Sequence, residues 1–244
     1  MSDTSTPLVS IVTVVYNAIA TLDNTLKSVI NQSYPNIEYI IIDGGSTDGT
    51  LDLLDKYKEF IARVVSESDN GIFDAMNKGQ KFAQGDWLIF LGADDLLLSP
   101  TIIEEVVPYF KNRDEIYYGN AYIKTSNRLY NGKLNKWSMT LGSVSHQAIF
   151  YPKSVYKNKD YDQSFKIFAD HIYNIELFKS HTSKFVYIPK LISIFDGHGV
   201  SSYAKDEKYD ENLVKIITQH FGVLVGLYVW IRRKIYSLQR DYKK

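Results

Sequence analysis

The sequence predicts an α/β fold built on a mostly parallel central sheet, and three observations carry that prediction. Short Val- and Ile-rich runs, such as LVSIVTVVY over 8–16, are apolar almost throughout and so suit strands buried on both faces. Segments with apolar residues at helical spacing alternate with them, as in βαβ units. The 244 residues are 45% hydrophobic, enough to close one large core.

After the first strand, Leu22, Leu26, Val29 and Ile30 mark a helix, with Thr21 as its cap and Tyr34-Pro35 as its stop. A second buried strand over 39–42 ends at Asp43-Gly44-Gly45. Ser46-Thr47-Asp48 then opens a helix expected to turn Leu51, Leu54, Tyr57 and Ile61 inward. Strand, helix and strand follow at 63–66, 71–83 and 87–91. Beyond Asp95 the alternation loosens: a helix is expected over 100–110, a Tyr-rich strand over 115–124, and an irregular hairpin or loop over 129–140. A helix over 168–179 and an extended segment over 185–195 complete the pattern.

Charge and composition exclude several classes. The 28 basic and 28 acidic side chains balance, which disfavours a nucleic-acid binder, and the hydrophobic content disfavours disorder. With no cysteine there is no disulfide, thiol nucleophile or zinc-thiolate site. Residues 1–7 are too short and polar for a signal peptide, and no run of 18 uncharged apolar residues supports a spanning helix. The balance hides a separation: eleven acids face five bases between Asp43 and Asp95, whereas six bases face one acid from Arg232 to Lys244.

In an open parallel sheet, ligands bind beyond the carboxyl ends of the strands. Those ends carry Tyr16-Asn17, Asp43-Gly44-Gly45-Ser46, Glu67-Ser68-Asp69 and Gly92-Ala93-Asp94-Asp95. Acids gathered on one edge repel unless a cation sits among them. Asp94-Asp95 suit a hard ion such as Mg²⁺ or Mn²⁺, which keeps waters and completes its shell with substrate phosphates. A plainer role, capping a helix that starts near Ser99, competes with that reading. Gly44, Gly45 and Gly49 do not form the dinucleotide fingerprint, so a nicotinamide enzyme is disfavoured. Asp43 remains a Gly-flanked carboxylate able to accept from a base or ribose.

Four stretches together, VSIVTVVYNAIATLDNTLKSVINQSYPNIEYIIIDGGSTDGT, SESDNGIFDAMNKGQKFAQGDWLIFLGADD and the later SHQAIFY and FADHIYNIEL, resemble glycosyltransferase family 2. These are inverting enzymes of the GT-A fold that transfer sugar from a nucleotide diphosphate, usually a uridine one. The likeness covers roughly residues 8–200, and the stretch from Asp69 to Gly79 resembles the subset that builds bacterial capsules and exopolysaccharides.

The resemblance implies a Rossmann-like sheet flanked by helices with a C-terminal helical tail. A nucleotide-sugar half would span 1–95, an acceptor half 96–205 and the tail 206–244. It places Val14 and Tyr16 beside the base, Asp43 on its ring N–H, Asp69 near the nucleoside, Asp94 on the ribose and Asp95 on Mn²⁺ or Mg²⁺. Asp170 takes the place of the general base, and His146-Gln147 line the acceptor side. Gly92-Ala93 stand where an Asn-Ser or similar pair is common. The implied reaction moves a hexosyl or N-acetylhexosaminyl group to a saccharide or lipid-linked saccharide in the cytoplasm.

The residues fit that chemistry without the family. Displacement at an anomeric carbon needs a neutralised leaving group, which a metal on Asp95 supplies, and an acceptor hydroxyl that loses its proton, for which one carboxylate suffices. Two rivals share parts of the pattern: a non-catalytic nucleotide-sugar-binding module, which has no need of Asp170, and a metal-dependent phosphohydrolase, which wants more ligands. His171, His181 and His220 read as surface or packing residues, and His198, in a Gly-flanked loop, as able to approach the pyrophosphate. From Ile216 to Ile231 sixteen residues carry no Asp, Glu, Lys or Arg. A helix there is too short to span a bilayer. It suits either the membrane interface, on the inner face of the plasma membrane, or packing on the core or on a second copy in a homo-oligomer.

Overall fold

The computed structural model describes residues 6–130, 132–142, 144–180, 185–197, 199 and 204–241. Four parallel strands form its first half: β1 (Val9–Val15), β2 (Ile37–Asp43), β3 (Arg63–Ser66) and β4 (Trp87–Gly92). Helices α1 (Leu22–Ile30), α2 (Thr50–Lys56) and α3 (Ile72–Phe82) connect them. The sheet continues through β5 (Leu96–Leu97), β6 (Ile116–Ile123), β7 (Arg128–Tyr130), β8 (Ile149–Pro152) and β9 (Phe185–Phe195) in the order β3-β2-β1-β4-β8-β6-β9-β5, with β7 beside β6. Among the described residues of this half only β6 and β9 run parallel; β8 is antiparallel to both β4 and β6, and β5 and β7 are antiparallel to their partners.

Strand β1 shows why its run is apolar throughout. Val9, Ile11 and Val15 face α1 through Leu22, Leu26 and Val29, whereas Val12 and Val14 face α3 through Phe73 and Met76. The second of these layers extends to α7 (Ala169–Ser180), whose Ile172, Ile175, Leu177 and Phe178 are all buried as their spacing requires.

Several expectations need correction. Leu51 points outward, and Leu53 takes the inward position beside Leu54, because α2 starts at Thr50 after a left-handed Gly49 and so sits at a different phase. The helix expected over 100–110 shortens to α4 (Ile102–Val106) plus one 3₁₀ turn at Pro108, whose ring ends regular hydrogen bonding. The stretch 129–140 contains α5 (Lys136–Leu141), opened by a capping box in which Asn135 Oδ1 accepts from the Trp137 and Ser138 amides. The short α6 (Lys153–Tyr156) follows β8. The uncharged run at the C-terminus is not one helix. Gly222, with φ of 91°, turns the chain between α8 (Glu207–Phe221) and α9 (Val223–Asp241).

Candidate active site

Register brings the strand ends together. Val15 lies opposite Asp43, Val14 lies opposite Ile42 and Gly92, and Asp43 lies opposite Ser66. The Asp43 carboxylate is wholly buried. Its Oδ2 accepts from the amides of Gly45 and Ser46, both at 3.0 Å, and from Ser66 Oγ at 2.6 Å. Its Oδ1 is buried without a partner. A buried carboxylate oxygen left unpaired is costly, so Asp43 is fixed by its turn with one strong acceptor still to be satisfied.

Gly44 sits where Tyr16 and Asp69 close on it. A Cβ there would lie 2.5 Å from Asp69 Oδ2 and 3.3 Å from the Tyr16 ring. Tyr16 is 65% exposed at the rim, whereas Val14 is buried within the sheet. Asp69 Oδ1 accepts from the Gly71 amide at 2.9 Å, which orients the other oxygen toward Gly44. Asp48, by contrast, holds its own turn, accepting from Thr50 and the Ile19 amide.

At the end of β4, Asp94 and Asp95 fold back over Gly92. A Cβ on Gly92 would lie 2.9 Å from Asp95 Oδ2 and 3.2 Å from Asp94 Oδ1, so the small residue leaves room for two adjacent carboxylates. Asp95 is buried and its Oδ2 accepts from the Gly92 amide. Burial, reinforced by the charge of Asp94, pushes its pKa from 3.8 up to about 6, against the opposing pull of His146 and Gln147. A buried acid held at that level gains from a bound cation. One or two hard oxygens fit an ion that draws its other ligands from water and a diphosphate.

His146 and Gln147, in a 3₁₀ turn before β8, join this strand end to the start of α7. Gln147 Oε1 accepts from Ser145, and the side chain lies near enough to Asp95 to favour its ionised form. His146 Nδ1 lies 3.7 Å from Asp170 Oδ2. Burial alone would push the imidazole down, but Asp170, Asp95 and Asp94 outweigh it and hold its pKa above the ordinary value. Asp170 Oδ1 accepts from the His171 amide at 2.7 Å in the first turn of α7, where the helix end favours an anion. Asp95 and Asp170, far apart in sequence, therefore meet across two consecutive residues.

His171 is a packing residue, as expected, but fully inside. Its Nε2–H donates to the Met139 carbonyl at 2.7 Å, which leaves Nδ1 to accept from Tyr209 O–H at 2.6 Å. Burial lowers its pKa and keeps the ring neutral. It ties α7 to α5 and α8. His220 is half-buried on α8 with its pKa also lowered by burial, whereas His181 and His198 lie outside the described residues.

The acidic edge does not converge on one ion. Among the described residues no three His, Asp or Glu side chains are grouped to hold a metal. The acids are answered locally: Asp43 by amides and Ser66, and Glu67 and Asp74 by Lys78 at 2.9 and 3.5 Å. Sequence reasoning missed Ser66, and also the buried Asn77 and Gln80 of α3. Asn77 pairs with both backbone groups of Tyr161, and Gln80 donates to the Lys159 carbonyl, fixing the segment that leads to α7. Polar residues at inward helix positions were the available signal.

Residues 10–182 match the sequence profile of glycosyl transferase family 2. The chain is similar to a PGL/p-HBAD biosynthesis glycosyltransferase of Mycobacterium bovis, 27% identical over 215 residues that cover 85% of this chain and 84% of that one. Among solved structures, S. aureus TarS superposes with a TM-score of 0.66 at 15% identity, covering 88% of this chain and 43% of TarS. Its 1–349 portion has been solved with UDP. A mannosyltransferase from Pyrobaculum calidifontis, solved with GDP-Man and Mn²⁺, gives 0.65 at 15% identity, covering 89% of this chain and 64% of that one. These likenesses identify the fold as GT-A.

Proposed function

Because the chain belongs to glycosyl transferase family 2, we propose that it is a metal-dependent inverting enzyme that moves a sugar from a UDP-sugar to a hydroxyl of a glycan or lipid-linked glycan. The observation that carries this reading is the meeting of Asp95 and Asp170 on either side of His146-Gln147.

Each residue has a distinct task. The unpaired Oδ1 of Asp43 accepts the ring N–H of the base, with the Tyr16 ring and Val14 backbone flanking it and Asp69 closing the nucleoside side. Asp94 holds the ribose, and Asp95, kept in line by the Gly92 amide, holds Mn²⁺ or Mg²⁺. The bound ion supplies Lewis-acid neutralisation of the diphosphate leaving group. Asp170 Oδ2 takes the proton of the attacking acceptor hydroxyl. His146, beside that oxygen, orients the carboxylate from the acceptor side. Direct displacement by one base inverts the anomeric centre without a covalent intermediate.

The donor-binding half comprises 1–95, and the segment 96–205 shapes the acceptor side. The likeness of residues 69–79 to capsule and exopolysaccharide enzymes supports a cytoplasmic role in bacterial surface-polysaccharide assembly. The test is Asp170→Asn, assayed for transfer from UDP-sugars to glycan acceptors with Mn²⁺. The expected loss is about 10²–10⁴-fold, with donor affinity unchanged. Wild-type transfer by this variant would overturn the base assignment.

A further inference from the structure

Helix α9 has two apolar faces. Val225 and Val229 bury one of them against the rest of the protein, where Arg233 also pairs with Asp210 of α8 at 2.6 Å. The opposite side carries Leu224, Leu227, Tyr228, Trp230, Ile231 and Ile235, which are between 41% and 81% exposed. At 100° per residue these six span roughly 160° of the helix. Monomeric proteins rarely leave so wide an apolar face to water.

The patch does not stop at the helix. Tyr228 meets Trp137 of α5 edge-to-face with ring centroids 5.3 Å apart, and Trp137 is itself 42% exposed. Helix α5 therefore bridges two regions. Its Met139 carbonyl holds His171 beside Asp170, and its Trp137 extends the apolar patch. Charge follows the same boundary. No Asp or Glu occurs from Val223 to Arg240 or from Ile116 to Lys159. Arg232 and Lys234 stand exposed on α9, and Lys133 and Lys136 are exposed around α5, with Lys136 over the Trp137 ring at 5.4 Å.

We propose that this face of α9, with Trp137, seats the protein on an anionic lipid surface. No helix among the described residues is long and apolar enough to cross a membrane, so contact is interfacial. Aromatic rings beside Leu and Ile suit headgroup depth, and two acid-free segments that place Arg232 at the edge of the apolar arc and Lys234 within it, at its C-terminal end, match anionic headgroups. A second copy is the poorer occupant, because a symmetric contact would set this basic surface against itself. The inference stands on the patch alone and does not depend on the assigned reaction.

The full chain is sedimented with vesicles of neutral phosphatidylcholine and with vesicles containing anionic phosphatidylglycerol, at low and high salt. The wild type should pellet with anionic vesicles at low salt and be released by high salt. Leu227→Asp with Trp230→Asp should weaken binding by about tenfold or more, through lost apolar contact and added repulsion. Arg232→Glu with Lys234→Glu should weaken anionic binding while leaving an unchanged thermal melt. Retention of the wild type in the supernatant would overturn the proposal, as would equal pelleting with both vesicle types or no effect of either variant. A concentration-dependent dimer in light scattering that Leu227→Asp dissolves, without vesicle binding, would assign the face to a second copy.

Discussion

Asp95→Asn should stabilise the metal-free protein while destroying the function of the site. The buried Asp95 carboxyl is pushed from 3.8 up to about 6. That rise corresponds to about 3 kcal/mol of cost for the ionised form in the folded state. Asparagine keeps the shape and an oxygen for the Gly92 amide but carries no charge to desolvate. The variant should gain about 1–3 kcal/mol, or about 2–6 °C in Tm. The sign fixes the pH dependence. Between 3.8 and about 6 the folded state holds a proton that the unfolded chain has released, so Asp95 costs stability as pH rises through that window. The cost is complete above 6. Thermal melts in a chelator should therefore show the largest gain at pH 8 and a shrinking one as pH falls toward 4. With Mn²⁺ and UDP the gap should narrow or reverse, since the wild type alone gains the metal-stimulated part of the ligand's stabilisation, up to about 2.7 kcal/mol at a hundredfold excess over Kd. A variant no more stable than wild type at pH 8 in chelator would refute the reading of Asp95 as an acid held for a cation.

Three further outcomes follow from the same geometry. Asp43→Asn should turn its amide toward either the Gly45 and Ser46 amides or the base, weakening UDP binding by about 10–100-fold in calorimetry. Gly44→Ala should push the Asp69 carboxylate aside, reducing nucleotide affinity several-fold with little change in Tm, because the group that moves is the end of a flexible side chain. His171→Ala should cost about 2–4 kcal/mol in urea unfolding by stranding the Met139 carbonyl and Tyr209 hydroxyl. Since burial lowers the His171 pKa, the wild-type contribution is complete above about 6.5 and declines as pH falls below it, a decline the variant should lack.

The first half of the fold was legible because local and tertiary signals agree there. Strand β1 is apolar on both faces because both faces are covered, and Asp43-Gly44-Gly45 announces a turn that the register sets beside Ser66 and Gly92. The second half was harder to read. Strand β8 has four residues in the run IFYP, and α5 owes its start to a single Asn135 cap within a polar stretch. Gly222 divides what reads as one apolar helix, and only its left-handed backbone reveals the corner. Individual site positions could be proposed from strand ends and motif likeness. Their mutual arrangement could not, because His146-Gln147 reach Asp95 and Asp170 only through the antiparallel return of β8 beside β4.

The central claim is that Asp95 and Asp170 serve opposite ends of one reaction. Titration calorimetry of UDP with and without Mn²⁺, on Asp95→Ala and Asp170→Asn in parallel, tests it most directly. Asp95→Ala should lose the metal-stimulated part of UDP binding, and Asp170→Asn should bind within about twofold of wild type, as expected of a group that acts on the acceptor. Metal-stimulated binding that survives in Asp95→Ala, or vanishes in Asp170→Asn, would contradict the assignment.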